Sequence, residues 1–450
     1  MTIASSNFTI LGYGEYSGAT APTTLTELPM TGESLSFQNQ FISSQNINSS
    51  RQILDSIQTG YEVSGGIQIE LAPKIYDLLM EGALWADWST SIEVDNEDIE
   101  IDNTGYATAT EASRTITTLT TAIFATTESD TTKIREGQFF QLRANAAAGI
   151  PAVLEGIYQV EEVVDGNTAI VYAVDEASPF KDSTTTTTAD RADIRASMIR
   201  APKDGTAANM VRHRYGFEKR QSDLSPELFT YFTNMYVNNF SVNAQSASLL
   251  TGSFDFMGST SGMVETNSYF TSGSTAYTSA GSFNGFNAVS HVGDVILRPS
   301  DTGIGRNLNG LVSPAYMQGL DFSVANNLRG AKAIGNLGYV DILAGQLAVS
   351  GNLNIFFESK DMYDLFTGNK EFALSYSVLN GNNEGYVFSF PRATVNTDSM
   401  SSGGNDQDLV ESMQWSSMYD SNDKGGSYST GATPGYKTSI QIDRFYTTYS

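Results

Sequence analysis

The sequence predicts a mainly β fold with short helices, in which a β-sandwich or barrel domain is duplicated and the first copy carries a small inserted β-domain. Three observations support this: a composition suited to strands and turns, a motif that occurs twice, and a β-rich stretch found in only one copy. Charged residues make up 17% of the 450-residue chain and aromatic residues 11%. β-Branched and aromatic residues favour strands, whereas glycine and asparagine favour turns.

The repeated motif is a half-buried strand followed by a short helix. Residues 63–69 read VSGGIQI and residues 349–355 read VSGNLNI, and the two stretches align without a gap. Apolar and polar residues alternate in both, which is typical of a strand with one buried face. A related tetrad follows each strand, YDLL at 76–79 and YDLF at 363–366.

Helices are predicted over residues 72–86 and 359–367, because apolar residues recur there at helical spacing. Pro73 suits a first helical turn. Ser359 is the expected N-cap of the second helix, and Gly82 and Gly368 are expected to close the two units.

A second correspondence predicts equivalent closing strand pairs in the two copies. Residues 240–243 (FSVN) and 393–396 (ATVN) each precede a further alternating stretch. These further stretches are residues 253–256 (SFDF) and 412–415 (SMQW). We interpret each set as the last two strands of one copy.

The predicted organisation follows from these repeats. Residues 1–34 have little periodicity and are expected to form an N-terminal arm that is disordered alone or ordered on a neighbour. The first domain covers residues 35–260 and is interrupted by an inserted surface β-domain at 108–205, which has threonine-rich flanks. A glycine- and serine-rich linker at 261–314 leads to the second domain at 315–450.

The charge and the cysteine count exclude several classes of function. The formal net charge is -25, and such an acidic surface repels a phosphate backbone, so tight nucleic-acid binding is not expected. The chain has no cysteine, which excludes disulfides and thiolate chemistry, and two histidines make a histidine-based zinc site hard to build. The start lacks signal-peptide features, and no stretch approaches the ~20 apolar residues of a membrane span. Synthesis in the cytoplasm without membrane insertion is expected.

No catalytic, cofactor or metal site is predicted from the acidic residues. The run at residues 93–102 misses the spacing of a calcium loop, so a solvated edge strand is the preferred interpretation. Asp406, Asp408 and Glu411 are interpreted as loop residues. Among 50 acidic residues any carboxylate pair could be nominated for glycoside hydrolysis, so that pattern carries no information.

Two aromatic and basic clusters also have structural interpretations. His213 lies between Arg212 and Arg214 and is expected to form an ion-pair site at a strand end. Trp85 and Trp88 flank the end of the first predicted helix, and packing is a better explanation for them than a sugar-binding platform.

Several of these residues together resemble the tail tube (major tail) proteins of long-tailed bacteriophages of the non-contractile type. In the first half the resemblance lies in residues 42–53, 63–71 and 76–85. In the second half it lies in residues 326–328, 349–351, 385–386 and 390–395. The inserted β-domain departs from the simplest members of that family.

The resemblance implies a structural protein of the virion tail, and not an enzyme. Tube domains of this family form rings of six that stack into a channel for genome delivery. Two domains per chain then imply homotrimeric, pseudo-hexameric rings with three protrusions, whereas a repeat made of two similar hairpins of one domain implies six chains and six protrusions. The implied partners are other copies of the chain, the tape measure protein and transiting DNA held without tight binding in the lumen, and other tail proteins at the tube ends. We also expect the channel wall to carry a disproportionate share of the acidic residues.

Two other classes of protein share parts of this pattern. A β-rich surface adhesin or a virion decoration protein has the same low charge and richness in threonine and asparagine. A tail-associated glycan hydrolase is the third interpretation.

Overall fold

The computed structural model describes most of the chain and shows that strands dominate. The described residues are 5–44, 52, 55–102, 113–118, 121–127, 130–144, 155–173, 187–202, 210–271, 277–281, 283–299, 317–357, 360–402, 408–420 and 438–449. The prediction of a mainly β fold with short helices is confirmed. Of the helices in these residues, none is long and apolar enough to cross a membrane.

The elements are as follows in chain order. The first part contains a 3₁₀ turn at Ser6–Phe8, then β1 (Thr9–Glu15), β2 (Thr26–Glu27), β3 (Gly32–Glu33), β4 (Ser36–Ser43), β5 (Ser56–Glu70) and α1 (Asp77–Leu84). The middle part contains β6 (Ile92–Asp102), β7 (Ser113–Thr118), β8 (Phe139–Ala144), β9 (Gly156–Val163), β10 (Thr168–Ala173) and β11 (Thr187–Arg200). The last part contains β12 (Tyr215–Gln221), β13 (Leu228–Gln245), β14 (Thr251–Gly258), β15 (Thr260–Glu265), β16 (Val292–Pro299), β17 (Met317–Ala325), β18 (Arg329–Ala331), β19 (Asp341–Leu343), β20 (Ala348–Phe356), α2 (Asp361–Thr367), β21 (Glu371–Leu379), β22 (Gly385–Ser402), β23 (Leu409–Ser417) and β24 (Gln441–Phe445).

Two six-stranded units share one strand order. The first unit runs β1–β12–β13–β14–β5–β4, with every neighbouring pair antiparallel. The second unit runs β16–β21–β22–β23–β20–β17, again antiparallel throughout. The helix follows the motif strand in each, α1 after β5 and α2 after β20. The two units therefore have the same connectivity as well as the same motif.

The pairing registers of the two units also slip at equivalent places. β13 slips against β14 between Val237 and Asn239, and β22 slips against β23 between Val395 and Thr397. When the two units are aligned so that Val63 matches Val349, the two register shifts fall at equivalent residues. The predicted match of residues 253–256 with 412–415 is in register. The predicted match of 240–243 with 393–396 is wrong by about five residues, because the bulge aligns Val237 with Val395.

The inserted stretch forms a closed six-stranded barrel. Its strands pair in the cycle β6–β7–β10–β9–β8–β11 and back to β6. Closure leaves a barrel without exposed strand edges. The barrel begins at Ile92 and not near residue 108, so the predicted boundary is too late. The acidic run at 93–102 is part of β6, which has partners on both sides at Ile99 and Ile101, so the prediction of an edge strand is wrong there.

The barrel is joined to the second unit as well as to the first. β11 leaves the barrel and pairs with β24 from Ser197↔Arg444 to Arg200↔Gln441. A small apolar cluster beside it contains Phe139, Ile157, Val387 and Phe445. The buried Asp443 carboxylate accepts a hydrogen bond from the Phe139 amide at 3.2 Å. Burial raises the pKa of Asp443 to about 8. The insertion thus lies in the first unit along the chain but contacts the second in space.

The predicted arm and linker contain strands of the two units. β1 pairs with β12 along its whole length, from Thr9↔Gln221 to Glu15↔Tyr215, and Leu11 and Tyr13 are buried. An arm over residues 1–34 that is ordered only by a neighbour is therefore a wrong prediction for the described residues. The predicted linker at 261–314 includes β16, which pairs with β21, so the second unit begins before residue 315.

The first helix begins and ends differently from the prediction. α1 begins at Asp77, so Pro73 lies in the turn before it. Gly82 lies inside α1, and the helix ends where Trp85 adopts a left-handed backbone with φ of 52°. α2 ends at Gly368 as predicted, whereas Ser359 lies outside the described residues.

Gly82 allows α1 to pack closely on β12 and β13. A Cβ at this position would lie 2.7 Å from the Tyr215 ring and hydroxyl and 3.0 Å from Cγ2 of Val237. We expect Gly82→Ala to lower the free energy of unfolding by about 1–3 kcal/mol through overpacking, despite the higher helix propensity of alanine. Urea denaturation measures this. Gly381→Ala is the control, because a Cβ there meets open space. A Gly82→Ala protein as stable as the wild type would contradict the close approach.

Candidate assembly interface

The two units are joined by one strand pair, which we call the in-chain seam. It consists of residues 239–245 of β13 paired antiparallel with residues 319–325 of β17. Since β13 keeps β14 on its other side, the seam produces one eight-stranded sheet in the order β4–β5–β14–β13–β17–β20–β23–β22. Each unit contributes four of these strands.

One face of the in-chain seam is apolar and buried. Phe240 and Val324 are opposite each other and are both 0% exposed. The next inward-facing pair, Val242 and Phe322, is also buried. The rings of Phe240 and Phe322 meet edge to face with centroids 5.7 Å apart. Burial of these four side chains is the main stabilising contribution of the seam.

The other face of the sheet is polar and contains serine and amide side chains in hydrogen-bonded ladders. Ser241 Oγ lies 2.8 Å from Ser253 Oγ, and Ser323 Oγ lies 3.4 Å from Ser350 Oγ. Ser241 and Ser323 are opposite each other across the seam. Asp255 and Asp321 are the carboxylates on this part of the face, and Asn352 Nδ2 donates to Asp321 at 2.9 Å.

The eight strands contain one basic residue. This residue is Arg392, which donates to Glu371 at 2.5 Å. The strands of the polar face therefore offer mainly hydroxyl and amide groups, and Lys332, which lies outside the eight strands, reaches the face and pairs with Glu62 at 3.3 Å. A surface of this kind can pass a polyanion without binding it tightly.

A buried polar network reinforces the in-chain seam beside the sheet. Asp77, at the start of α1, accepts hydrogen bonds from the Tyr386 and Tyr446 hydroxyls at 2.6 and 2.8 Å and from Arg444 Nη1 at 2.7 Å. Trp88 packs under the Arg444 guanidinium at 4.3 Å. Because Asp77 belongs to the first unit and its three partners belong to the second, the network connects the two units. Charge-assisted hydrogen bonds of this kind are among the strongest.

Asn326 closes the end of the seam. Its Nδ2 donates to the carbonyl oxygens of Ala83 at 2.9 Å and Val237 at 3.0 Å. The Leu328 amide in turn donates to Asn238 Oδ1 at 2.9 Å. These contacts explain why residues 326–328 belong to the pattern noted in the sequence.

The two outer edges of the eight-stranded sheet carry exposed apolar side chains. Within the described residues, β4 pairs only with β5, and residues 396–402 of β22 pair only with β23. Phe37 on β4 is 42% exposed and Met400 on β22 is 48% exposed. Sequence reasoning missed both residues, because a strand edge is defined only once the pairing order is known.

The β22 edge also carries two carboxylates on its inward face. Met400 is opposite Glu411 and Asp398 is opposite Met413, so Asp398 and Glu411 point to the same side as the buried Met413. Burial, followed by the charge of Asp398, raises the pKa of Glu411 to about 7. Glu411 was predicted to lie in a loop, and the structure places it in β23. Asp408 lies just before that strand, and Asp406 is outside the described residues.

His213 forms the predicted ion-pair site. Its Nδ1 lies 2.7 Å from Glu15 Oε1, and its Nε2 lies 3.4 Å from Asp87 Oδ1. Burial lowers the pKa of His213, but the hydrogen bond and the charge of Glu15, with those of Glu81 and Asp87, outweigh burial and raise it. Glu15, Glu81 and His213 are the one group in the described residues with metal-ligand proximity, and the existing ion pairs account for their positions.

The tryptophans pack as predicted. Trp85 is 3% exposed and stacks on Tyr236 with ring centroids 6.0 Å apart. The Arg212 guanidinium lies 5.8 Å from the Trp85 ring and pairs with Asp341. In the acidic run, Asp95 of β6 forms an ion pair with Arg195 of β11 at 2.5 Å, so this carboxylate connects two neighbouring strands of the barrel.

Among the described residues, a sheet with a duplicated unit and two partly apolar edges is an arrangement that strand pairing with further copies would complete. A profile of the family described as phage tail tube protein matches residues 7–417. Because this match spans most of the chain, the chain belongs to the phage tail tube protein family. It is a structural component of the virion tail, as the sequence analysis predicted, and the family is not an enzyme family. The family match gives no support to an adhesin or a decoration protein.

Two solved structures share a partial likeness with the chain. A type six secretion system protein matches with 12% identity and a TM-score of 0.19, over 28% of this chain and 80% of that chain. The virion of a native gene transfer agent particle contains a chain that matches with 13% identity and a TM-score of 0.19, over 28% of this chain and 92% of that chain. These scores are too low to support an argument about this chain. No curated protein sequence matches significantly.

The buried hydrogen-bond network at Asp77 is expected to stabilise the chain strongly. Asp77→Ala leaves Arg444 and two buried tyrosine hydroxyls without their acceptor, so we expect a loss of about 3 kcal/mol in the free energy of unfolding. The control is Asp364→Ala, the equivalent position in the second unit, where Asp364 forms an exposed pair with Lys360 at 3.0 Å. That change is expected to cost less than about 1 kcal/mol. If the two variants lost the same free energy of unfolding, the stabilising role of the Asp77 network would be contradicted.

Glu411 is expected to make the stability of the unassembled chain depend on pH. The pKa of Glu411 in the folded chain is about 7 against an ordinary 4.5, so the folded state binds the proton more tightly. Its contribution is present at low pH and is lost as pH rises through about 7. We therefore expect Glu411→Gln to unfold at a higher temperature than the wild type at about pH 8, with the difference shrinking toward about pH 5. Asp408→Asn, an exposed change of the same charge, is the control. A pH-independent difference would contradict this assignment.

Proposed function

We propose that three copies of this chain close one ring of the tail tube, with threefold true symmetry and sixfold pseudo-symmetry. The observation that supports this is the eight-stranded sheet, in which two equivalent four-stranded halves are already joined edge to edge by the in-chain seam. Cyclic closure requires two different, complementary edges on each subunit, and the sheet ends in β4 on one side and β22 on the other. Strand pairing at both edges also removes the aggregation risk of an open sheet.

The polar face of the eight-stranded sheet is proposed to line the channel for DNA. Its side chains include Asp255 and Asp321 among many serine, asparagine and glutamine residues. We therefore revise the expectation that the wall carries a disproportionate share of the acidic residues. Glu62 and Glu70 of β5 lie on the same face, in line with Ser64 and Gln68. Transiting DNA moves freely because the strands of this face contribute no lysine to it and their one arginine is paired with a carboxylate. Lys332, which reaches the face from outside the sheet, pairs with Glu62 at 3.3 Å.

The six-stranded barrel is proposed to form a protrusion on the outside of the ring. It belongs to the first unit only, so it is expected at alternate positions around the ring. The division into a first tube domain, an inserted barrel and a second tube domain is part of this proposal.

The remaining partners follow from the proposed tube. Rings stack on other rings, the tape measure protein and DNA occupy the lumen without tight binding, and other tail proteins contact the two ends. Synthesis and assembly are proposed to take place in the host cytoplasm.

The copy number per ring tests the proposal. We expect native mass spectrometry of an isolated ring to give three times the chain mass of 48.6 kDa. A tube reconstruction is expected to show three protrusions per ring, because each chain carries one barrel. Six chains per ring with six protrusions would contradict the pairing of two units in one chain.

A further inference from the structure

We infer that the ring closes through a second seam, between chains, in which residues 397–400 of one chain pair antiparallel with residues 35–38 of the next in the register of the in-chain seam. This inference rests on the proposed ring and adds to it the identity of the paired residues. The occupant of each open edge is the opposite edge of another copy of this chain.

The in-chain seam supplies the register. Aligning Val63 with Val349 aligns Ser36 with Ser323, because these residues pair with Ser64 and Ser350 respectively. The same alignment matches Ser399 with Ser241, since they pair with Ser412 and Ser253. Ser241 and Ser323 are paired across the in-chain seam. Their equivalents, Ser399 of one chain and Ser36 of the next, are therefore expected to pair across the inter-chain seam.

The same alignment of the two units assigns the neighbouring pairs. The in-chain pair of Asn239 with Ala325 corresponds to Thr397 of one chain with Gln38 of the next. The buried pair of Phe240 with Val324 corresponds to Asp398 of one chain with Phe37 of the next. The buried pair of Val242 with Phe322 corresponds to Met400 of one chain with Leu35 of the next. Each of these pairs occupies one rung of an antiparallel ladder.

The exposed apolar residues at the two edges fit this arrangement. Phe37 is 42% exposed and its equivalent Val324 is 0% exposed, whereas Met400 is 48% exposed and its equivalent Val242 is 1% exposed. In the proposed ring, the neighbouring chain covers Phe37 and Met400 as β13 and β17 cover their equivalents. Pairing removes this apolar surface from water and supplies hydrogen-bond partners to the edge backbone.

The polar face continues across the same seam. Within one chain, Ser253, Ser241, Ser323 and Ser350 lie side by side on successive strands. The proposed register places Ser412, Ser399, and then Ser36 and Ser64 of the next chain in the equivalent positions. The faces of β4 and β22 are fixed by β5 and β23 within each chain, so a shift of one residue would pair Ser36 of the polar face with Asp398 or Met400 of the apolar face. The alternation therefore excludes odd shifts, and the equivalence with the in-chain seam selects this register among the others.

The inter-chain seam lacks an equivalent of the buried polar network around Asp77. The equivalent of Asp77 is Asp364, which lies on the surface beside Lys360. The equivalent of Arg444 is Glu265, because β15 pairs with β13 as β24 pairs with β22. An acidic residue thus replaces the arginine, and strand pairing and apolar contacts hold the inter-chain seam. Rings are expected to dissociate into folded chains before the chains themselves unfold.

Cysteine cross-linking tests the register directly, since the chain has no native cysteine. Paired residues in an antiparallel ladder have Cα atoms about 4.5 or 5.5 Å apart, and both distances allow a disulfide. We expect tubes of Ser36→Cys/Ser399→Cys to give disulfide-linked dimers and trimers in non-reducing gels. The matched control, Ser241→Cys/Ser323→Cys, is expected to form its disulfide within one chain and to stay monomeric. The off-register variant Ser34→Cys/Ser399→Cys is expected to cross-link less.

A mixture of the two single variants identifies the link as inter-chain. Co-assembled Ser36→Cys and Ser399→Cys chains are expected to give dimers, and neither variant alone is expected to do so. If tubes form and the in-chain control closes but Ser36→Cys/Ser399→Cys stays monomeric, or if the off-register variant cross-links better, the register is overturned while the ring stands. If the wild-type chain forms no rings by electron microscopy, the proposed function itself fails.

Discussion

The pairing of β13 with β17 is the constraint on which the rest of the structure depends. It joins two units that are each incomplete at one strand edge and turns them into a single eight-stranded sheet. Its apolar face, with Phe240 and Phe322, sets the core, and its polar face sets the surface proposed to line the channel. A chain with this pair already contains one seam of a ring, so the geometry of assembly can be derived from one molecule.

The two seams differ in what holds them, and the difference suits a subunit that must fold before it assembles. Within the chain, Asp77 binds Arg444 and two buried tyrosines. Between chains, the equivalent Asp364 stays on the surface with Lys360, and Glu265 replaces the arginine. The first seam is therefore part of the folding unit, whereas the second contributes only when a neighbour is present. The barrel adds a further in-chain tie, because β11 pairs with β24.

Sequence reasoning recovered what is encoded locally. The alternation around Val63 and Val349 predicted the motif strands, and the helical spacing of apolar residues predicted both helices, because short-range periodicity reports a buried face. It failed where partners are distant: the pairing of Thr9 with Gln221 gives β1 no local signal, so the segment was interpreted as an arm. The slip beside Asn238 could not be predicted either, because one extra residue in a polar strand leaves no distinct pattern. Asp77 and Asp364 look alike in sequence, and only tertiary packing buries one of them.

Hydrogen exchange compared between free chains and assembled tubes tests the central claim that one seam is permanent and the other forms on assembly. Amides in residues 239–245 and 319–325 are expected to exchange slowly in both states, because their ladder exists within the chain. In residues 35–38 and 397–400, the amides that point away from β5 and β23 are expected to exchange quickly in free chains and slowly in tubes. If these edges exchanged equally fast in both states, or if the in-chain seam were unprotected in free chains, the account would be contradicted.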